Sequence, residues 1–365
     1  MREEGPSNGE KKSDDDEVGM MIPCLDFSFN NKNNNGLGSL EEWKKMMSKK
    51  VREACEKHGY FVLVCDDDDD EIVPKVLREK MVMGLKELFD LPEETKMKHQ
   101  STTKPYSSYT SDCPVIPLNQ TFGVCDSHVF HVSQQFTNLM WPHGNPSFWY
   151  DFMFFFACSM LCPFMLKKTH LHETMNSISS KLLELNYMIL KMIEEGYELP
   201  KHYIDIEDML MKGTVYLRLM KYKTPSKENK KEGEIGLVTH TDKNTLTILC
   251  QNDVQGLEVQ TKTGKWIQLE IPQNAYVVVV GDILKAWSNG RLHAVRHRVT
   301  MKGDKERYSF GVFTMPKDEA KIEVPPELVD ANTHPLRYHP FTYGDYIKFF
   351  VSNLNENALD EFAAL

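Results

Sequence analysis

Apolar residues recur at helical spacing in three stretches of the N-terminal half of the chain. These stretches are 40–58, 72–98 and 176–195. The last has an apolar stripe with a 3.6-residue period and is followed by Gly196, a residue typical of helix C-termini. Two runs rich in apolar residues, 21–27 and 60–65, predict strands. The pattern therefore predicts helices that pack against a sheet.

The pattern changes near Leu217, where short β-rich runs begin. They are TLTILCQ, GLEVQT, KWIQLEI, AYVVVVGDIL, HAVRHRVT and RYSFGVF. Gly, Asn, Asp and Lys separate them, as is typical of a β-sandwich or jelly roll. We therefore predict an α+β fold in which a jelly-roll core is flanked by helices. The predicted regions are an N-terminal helical and strand region at 20–195, a core at 212–315 and a C-terminal strand and helix region at 316–365.

Two segments do not fit these regions. Residues 1–19 are polar and rich in charge, which predicts a disordered tail, and they lack the features of a signal or transit peptide. The apolar stretch 152–166 is interrupted by Pro163 and is shorter than the roughly 20 residues that a membrane-spanning helix needs. A buried helix or a surface insertion over 150–172 is therefore expected.

The net charge restricts the class of partner, and the cysteine spacing indicates the state of the thiols. The net charge of −10 disfavours nucleic acid and anionic membranes as partners, so a small-molecule substrate is expected. The eight cysteines have no CxxC spacing and are interpreted as reduced thiols in a cytoplasmic protein. The acidic run 66–70 is interpreted as a solvated loop or helix start.

A candidate metal site is formed by His240 and Asp242 together with a histidine that lies later in the chain. On a strand, side chains two residues apart point to the same face, so His240 and Asp242 can converge on one ion. Two imidazoles and one carboxylate are typical of Fe(II) sites that leave coordination positions open for substrates. His293 and His297 both suit the third position, because their even spacing keeps them on one strand face. Spacing alone does not decide between them.

A candidate carboxylate-binding site follows at Arg307 and Ser309, again two residues apart. A guanidinium group can hold a carboxylate through two hydrogen bonds, and the hydroxyl adds another. Phe313, further along the same strand face, is a candidate substrate contact, with core packing as the alternative.

As a set, HTD, SNGRLHAVRHRV and RYSFGVF resemble the C-terminal half of plant 2-oxoglutarate and iron(II)-dependent dioxygenases. The segments IPCLD and EKHGYF are similar to the N-terminal half of that family. FTNLMWPHGN and GLEVQTKTGKW resemble the glucosinolate-side-chain dioxygenase-like (AOP-like) branch. The resemblance covers most of residues 20–350. It implies a double-stranded β-helix core.

The resemblance also implies roles for individual residues. The third iron ligand becomes His297, while Arg307 and Ser309 bind the distal carboxylate of 2-oxoglutarate. Tyr222 falls where the family has a tyrosine bonded to the co-substrate, but Met220 replaces the family's nearby Asn.

The implied reaction oxidises a C–H bond of a small specialised metabolite or hormone, by hydroxylation, desaturation or O-demethylation. It uses Fe(II), 2-oxoglutarate and O2, with ascorbate as a reductant, and releases succinate and CO2. We expect a monomer. Relatives lack the segment 150–172, so we interpret it as an insertion encoded by a retained intron.

Three alternatives are considered. An iron oxidase that does not use 2-oxoglutarate can carry similar motifs, and a jelly-roll protein inactivated by the insertion can keep the fold as a binding protein. A zinc hydrolase is disfavoured, since the sequence offers no general base beside the three metal-ligand candidates.

Overall fold

The computed structural model describes residues 22–28, 39–65, 72–104, 106–111, 113–143, 171–199 and 213–365. The predicted tail 1–19, the acidic run 66–70 and residues 150–170 of the predicted insertion lie outside the described residues. The last two residues of that predicted insertion, Leu171 and His172, belong to a helix.

Eight α-helices lie within the described residues. They are α1 (Leu40–Lys57), α2 (Lys75–Phe89), α3 (Glu93–Lys96), α4 (Phe130–Met140), α5 (Leu171–Gly196), α6 (Asp282–Trp287), α7 (Tyr343–Asn353) and α8 (Ala358–Ala363). The start of α1 has a capping box between Ser39 and Glu42, which satisfies backbone N–H groups that lack partners within the helix. A single helix over 72–98 was expected, but the chain forms α2 and α3 because Pro92 cannot continue a helix.

Fourteen strands lie within the same residues. They are β1 (Cys24–Asp26), β2 (Tyr60–Val64), β3 (Tyr109–Thr110), β4 (Asn119–Cys125), β5 (Thr214–Tyr222), β6 (Glu234–His240), β7 (Leu246–Gln251), β8 (Leu257–Gln260), β9 (Trp266–Gln268), β10 (Tyr276–Val280), β11 (His297–Met301), β12 (Arg307–Met315), β13 (Lys321–Ile322) and β14 (Phe341–Thr342). The run AYVVVVGDIL was expected to be β-rich throughout, but β10 ends at Val280 and α6 begins at Asp282.

Two sheets form the centre of the molecule. An eight-stranded sheet has the order β1-β2-β10-β7-β12-β5-β4-β3, and a four-stranded sheet has the order β6-β11-β8-β9. All described pairings in these sheets are antiparallel except that of β1 with β2. The C-terminal β-rich runs predicted from the sequence therefore contribute to both sheets.

The eight-stranded sheet has an apolar layer on each face. Phe61 and Leu63 of β2 belong to the larger apolar cluster, which includes buried residues of α1, α2 and α5. Their neighbours Tyr60 and Val62 belong to a second cluster, which also contains Val259 and other buried residues of the four-stranded sheet. Because side chains alternate along a strand, β2 contributes to both layers. The second cluster lies between the two sheets, where the candidate site is found.

The C-terminal strand and helix region, expected at 316–365, contains the two helices α7 and α8. Leu354 follows α7 with a left-handed backbone conformation at φ 42°, which ends the helix.

Candidate metal and co-substrate site

His240 and His297 lie opposite each other on neighbouring strands of the four-stranded sheet. His240 is the last residue of β6 and His297 is the first residue of β11, and the antiparallel register pairs them directly. Their ring centroids are 4.2 Å apart. The sheet therefore brings two imidazoles together from positions far apart in sequence.

Asp242 completes the cluster from a position just after β6. Its Oδ1 lies 3.7 Å from the Nε2 atom of His240 and 3.7 Å from that of His297. The ligand atoms of all three residues lie within 4.8 Å of one another. The expectation that His240 and Asp242 share one strand face was wrong in detail, because β6 ends at His240. The turn that follows brings the carboxylate to the same point.

Hydrogen bonds orient all three side chains. Nδ1 of His240 lies 2.9 Å from the carbonyl oxygen of Val238, and Nδ1 of His297 lies 3.1 Å from that of Val295. With Nδ1–H donating to a carbonyl, Nε2 of each ring keeps its lone pair for a metal. The Thr247 hydroxyl donates to Oδ2 of Asp242 at 2.6 Å, which leaves Oδ1 facing the histidines.

The electrostatic environment keeps the imidazole of His240 in its ligand form. Burial and the neighbouring His297 lower the pKa of His240 to about 4. His240 is therefore neutral at physiological pH, as a metal ligand must be. Two neutral imidazoles and one carboxylate fit a divalent transition metal such as Fe(II).

His293 lies elsewhere. It precedes β11, and its backbone N–H donates to the carbonyl oxygen of Cys55. Gly59 has a positive φ of 79°, and a Cβ atom there would lie 2.1 Å from the His293 carbonyl oxygen, so the close approach requires glycine. His293 is not part of the cluster of three ligands found among the described residues. The structure therefore places His297, and not His293, beside His240 and Asp242.

Arg307 is fully buried at the start of β12. Its Nε and Nη2 atoms donate to Oε1 of Gln251 at 3.1 and 2.9 Å, and Nη1 donates to the Ser309 hydroxyl at 3.3 Å. The guanidinium carbon lies 4.9 Å from the centroid of the Tyr222 ring, and Tyr222 is the register partner of Arg307 on β5. The three candidates for binding the co-substrate therefore lie together.

This guanidinium lacks a counter-ion within the described chain, where it forms no ion pair with a carboxylate. Burial lowers its pKa, because the charged form loses hydration. A buried cation without a partner is costly unless a ligand supplies the opposite charge. The chemistry of Arg307 thus suits an anionic group, and a carboxylate can accept two hydrogen bonds from it.

Three further residues contribute to the site, although no motif in the sequence singles them out. Gln251 holds Arg307, and Thr247 holds Asp242. Asn119 on β4 is paired in register with Tyr222, and its buried Oδ1 atom has no hydrogen-bond partner among the described residues. Had the pairing of the strands been known, following the strand face that carries Arg307 onto the neighbouring strands would have indicated Gln251 and Asn119.

Phe313 is partly buried and packs against the larger apolar cluster. Its ring centroid lies 5.9 Å from the guanidinium carbon of Arg218. Phe313 therefore packs against the core, as the alternative interpretation expected. Its contact with substrate stays a prediction.

Comparison with known proteins identifies the family. The model of the 2OG-Fe(II) oxygenase superfamily matches residues 215–316, and that of the N-terminal region of non-haem dioxygenases in morphine synthesis matches 22–149. The probable 2-oxoglutarate-dependent dioxygenase AOP1.2 of Arabidopsis thaliana is 36% identical over 354 residues, which cover 95% of this chain and 97% of that protein. The chain belongs to the 2-oxoglutarate and iron(II)-dependent oxygenases. The resemblance to this family and to its AOP-like branch is confirmed.

Solved structures agree with this assignment. The dioxygenase for auxin oxidation of rice is 27% identical, with a TM-score of 0.70, covering 94% of this chain and 100% of that one. The Arabidopsis thaliana dioxygenase for auxin oxidation 1, solved with 2-oxoglutarate, shares the fold at 24% identity and a TM-score of 0.67, covering 86% of this chain and 100% of that one. This oxygenase is an enzyme that uses Fe(II), 2-oxoglutarate and O2. Among its described helices, none is both long and apolar enough to cross a membrane.

Proposed function

We propose that His240, Asp242 and His297 hold the Fe(II) ion of this oxygenase. The proposal rests mainly on the convergence of their ligand atoms within 4.8 Å. The hydrogen bonds that fix both Nδ1 atoms and Oδ2 support it, because they leave one donor atom of each residue free for the metal.

Arg307, Ser309 and Tyr222 hold the distal carboxylate of 2-oxoglutarate in this proposal. The buried guanidinium without a counter-ion supports the assignment, as does the Ser309 hydroxyl that already lies 3.3 Å from it. Tyr222 stacks beside the guanidinium, and its hydroxyl lies 3.8 Å from the Met220 sulfur, a weak acceptor. The Tyr222 hydroxyl is therefore available to a stronger acceptor such as a carboxylate.

The proposed reaction is oxidation of a C–H bond in a small plant specialised metabolite or hormone, with release of succinate and CO2. Bound Fe(II) and 2-oxoglutarate supply the oxidising power, and the protein supplies placement. Asp242 and the two histidines fix the position of the metal, and Arg307 fixes the orientation of the co-substrate. The names of the AOP1.2 and auxin-oxidation relatives support a plant metabolite as substrate.

The same proposal covers the topology and region boundaries of the fold, and the location, oligomeric state and partners of the protein. The facing sheets form a double-stranded β-helix, a jelly roll, with the core at 212–315, the helical region at 20–195 and the strand and helix region at 316–365. The oxygenase acts as a cytoplasmic monomer without a nucleic acid or membrane partner, and ascorbate serves as a reductant. The net charge of −10 supports the absence of polyanionic partners.

Anaerobic titration tests the proposed site. Fe(II) followed by 2-oxoglutarate should give the weak visible charge-transfer band of the chelate in the wild type. Asp242→Asn should lose the band, whereas Asp253→Asn, a change at an exposed carboxylate on another loop, should keep it. A folded wild type without the band would contradict the assignment of the site.

Product analysis separates the remaining alternatives. Succinate formed in proportion to substrate consumed supports the 2-oxoglutarate-dependent reaction. Substrate oxidation without succinate favours an iron oxidase that does not use 2-oxoglutarate. Binding of a metabolite without any turnover would favour an inactivated jelly-roll binding protein.

A further inference from the structure

Arg218 places a second, partly buried cation on the face of β5 that points toward the four-stranded sheet. It lies two and four residues before Met220 and Tyr222, which belong to the apolar cluster between the sheets, so all three share one strand face. Its register partners on the two neighbouring strands are Gly123 and Gly311. Neither glycine has a side chain that could cover the Arg218 stem.

Arg218 also lacks a counter-ion. Burial lowers the pKa of its guanidinium, and within the described chain it forms no ion pair with a carboxylate. Its hydrogen bond is donated by Nη2 to the neutral hydroxyl of Thr121 at 3.2 Å. By contrast, Arg298 and Arg296 pair with Glu258 and Glu356.

Arg218 and Arg307 lie at two separate sites along the sheet. Arg307 is opposite Tyr222, which lies four residues along β5 from Arg218, or about 13 Å at the rise of a strand. The Asp242 carboxylate is close enough to influence the pKa values of both Tyr222 and Arg218. The proposed iron ligand therefore lies within electrostatic reach of both sites.

Aromatic side chains surround Arg218. The Phe313 ring lies 5.9 Å from its guanidinium carbon, and Tyr106 is close enough for both Arg218 and Asp242 to influence its pKa. The Tyr106 ring packs edge-on against Tyr216 at 6.1 Å.

We propose that Arg218 binds the carboxylate of an organic acid substrate whose body is aromatic or apolar. This inference rests on the proposed function. Arg307 is committed to the co-substrate, so Arg218 remains to neutralise a substrate anion near the iron. A carboxylate there would pair with the guanidinium, while the rings of Phe313 and Tyr106 pack against the substrate body.

The test compares acids with matched neutral amides. Phenylacetate and 3-phenylpropionate, each beside its amide, are titrated anaerobically into the protein loaded with Fe(II) and 2-oxoglutarate, and the shift of the charge-transfer band gives the dissociation constant. In the wild type the acids should bind at least about tenfold more tightly than the amides, as expected for a hydrogen bond to a charged group. Arg218→Met should abolish this preference, and Arg218→Lys should retain part of it.

Two control measurements separate this inference from other causes. The dissociation constant of 2-oxoglutarate should change by less than about twofold in Arg218→Met, since Arg307 is untouched. Without an acid, the same variant should melt at or above the wild-type temperature, because it removes a partly buried charge that forms no ion pair within the described chain. A structural role for Arg218 would lower the melting temperature.

Failure of the inference is distinguishable from failure of the proposed function. A wild type that forms the chelate band but does not prefer acids to amides, or binds none of them at millimolar concentration, overturns the role of Arg218. An equal loss of 2-oxoglutarate binding in Arg218→Met also overturns it. Absence of the chelate band in the wild type contradicts the proposed function itself.

Discussion

His297 is the register partner of His240 across β6 and β11, and this pairing, together with the turn after β6, creates the three-ligand cluster. His293 is only four residues away in sequence, but it precedes the strand and packs against Gly59. The two histidines therefore have different roles, which mutation can separate.

His297→Ala should lower Fe(II) affinity by about 100-fold or more, since loss of even a partner that orients a ligand costs about 10- to 100-fold. His293→Asn should leave the affinity within about twofold of wild type, because its side chain does not face the cluster. Anaerobic Fe(II) titration measures both. Equal losses in the two variants would contradict the assignment of His297.

Gln251→Glu should weaken 2-oxoglutarate binding by roughly 10- to 100-fold. The new carboxylate would lie where the amide oxygen now accepts from Arg307 at 2.9 Å, so it would compete with the co-substrate for the guanidinium. Calorimetric titration of the Mn(II)-loaded protein measures the change. Gln251→Leu is the matched control, because it removes the same hydrogen bonds without adding a charge; if both variants bind equally, competition is not the cause.

Asp282→Asn should lower the free energy of unfolding by about 3–5 kcal/mol, because it leaves the Lys243 ammonium group buried without its partner. Asp282 accepts from Lys243 at 2.8 Å and from the Tyr346 hydroxyl at 2.6 Å, and all three side chains are buried. Urea unfolding measures the loss.

Two comparisons test this explanation. Combining Asp282→Asn with Lys243→Met should recover much of the loss, since no unpaired charge remains. Glu41→Gln breaks an exposed pair with Lys44 and should cost less than about 1 kcal/mol. A similar small cost for Asp282→Asn would show that the buried pair does not stabilise the fold.

His293→Asn should make stability less dependent on pH between about 6.5 and 4. Burial and the nearby Lys262 and Lys285 lower the pKa of His293 to about 4. In that window the unfolded chain binds a proton that the folded chain does not, so the unfolding free energy of the wild type falls as pH falls. The variant lacks this contribution. Urea unfolding at several pH values measures the slope, and an unchanged slope would mean that His293 does not contribute.

Much of the fold was predictable because the pattern of apolar residues within a segment indicates whether it forms a helix or a strand. The apolar spacing of α1 and the alternation in β7 and β12 are present in the sequence itself. The 72–98 stretch was less predictable, since its apolar period continues past Pro92 although the helix does not. In AYVVVVGDIL, apolar content alone does not distinguish the strand before Gly281 from the helix after it.

The sequence by itself determined which residue types could hold a metal and a carboxylate, because His240, Asp242, Arg307 and Ser309 are chemically distinctive at short spacing. Spacing along the chain left His293 and His297 open, and the family resemblance implied His297. The tertiary structure gives the physical reason, since strand register, and not distance along the chain, sets which side chains meet. It also decided that Gln251 holds Arg307 and that Arg218 forms no ion pair with a carboxylate among the residues that the structure describes. These properties depend on burial and on partners from other strands, which no short segment of the sequence contains.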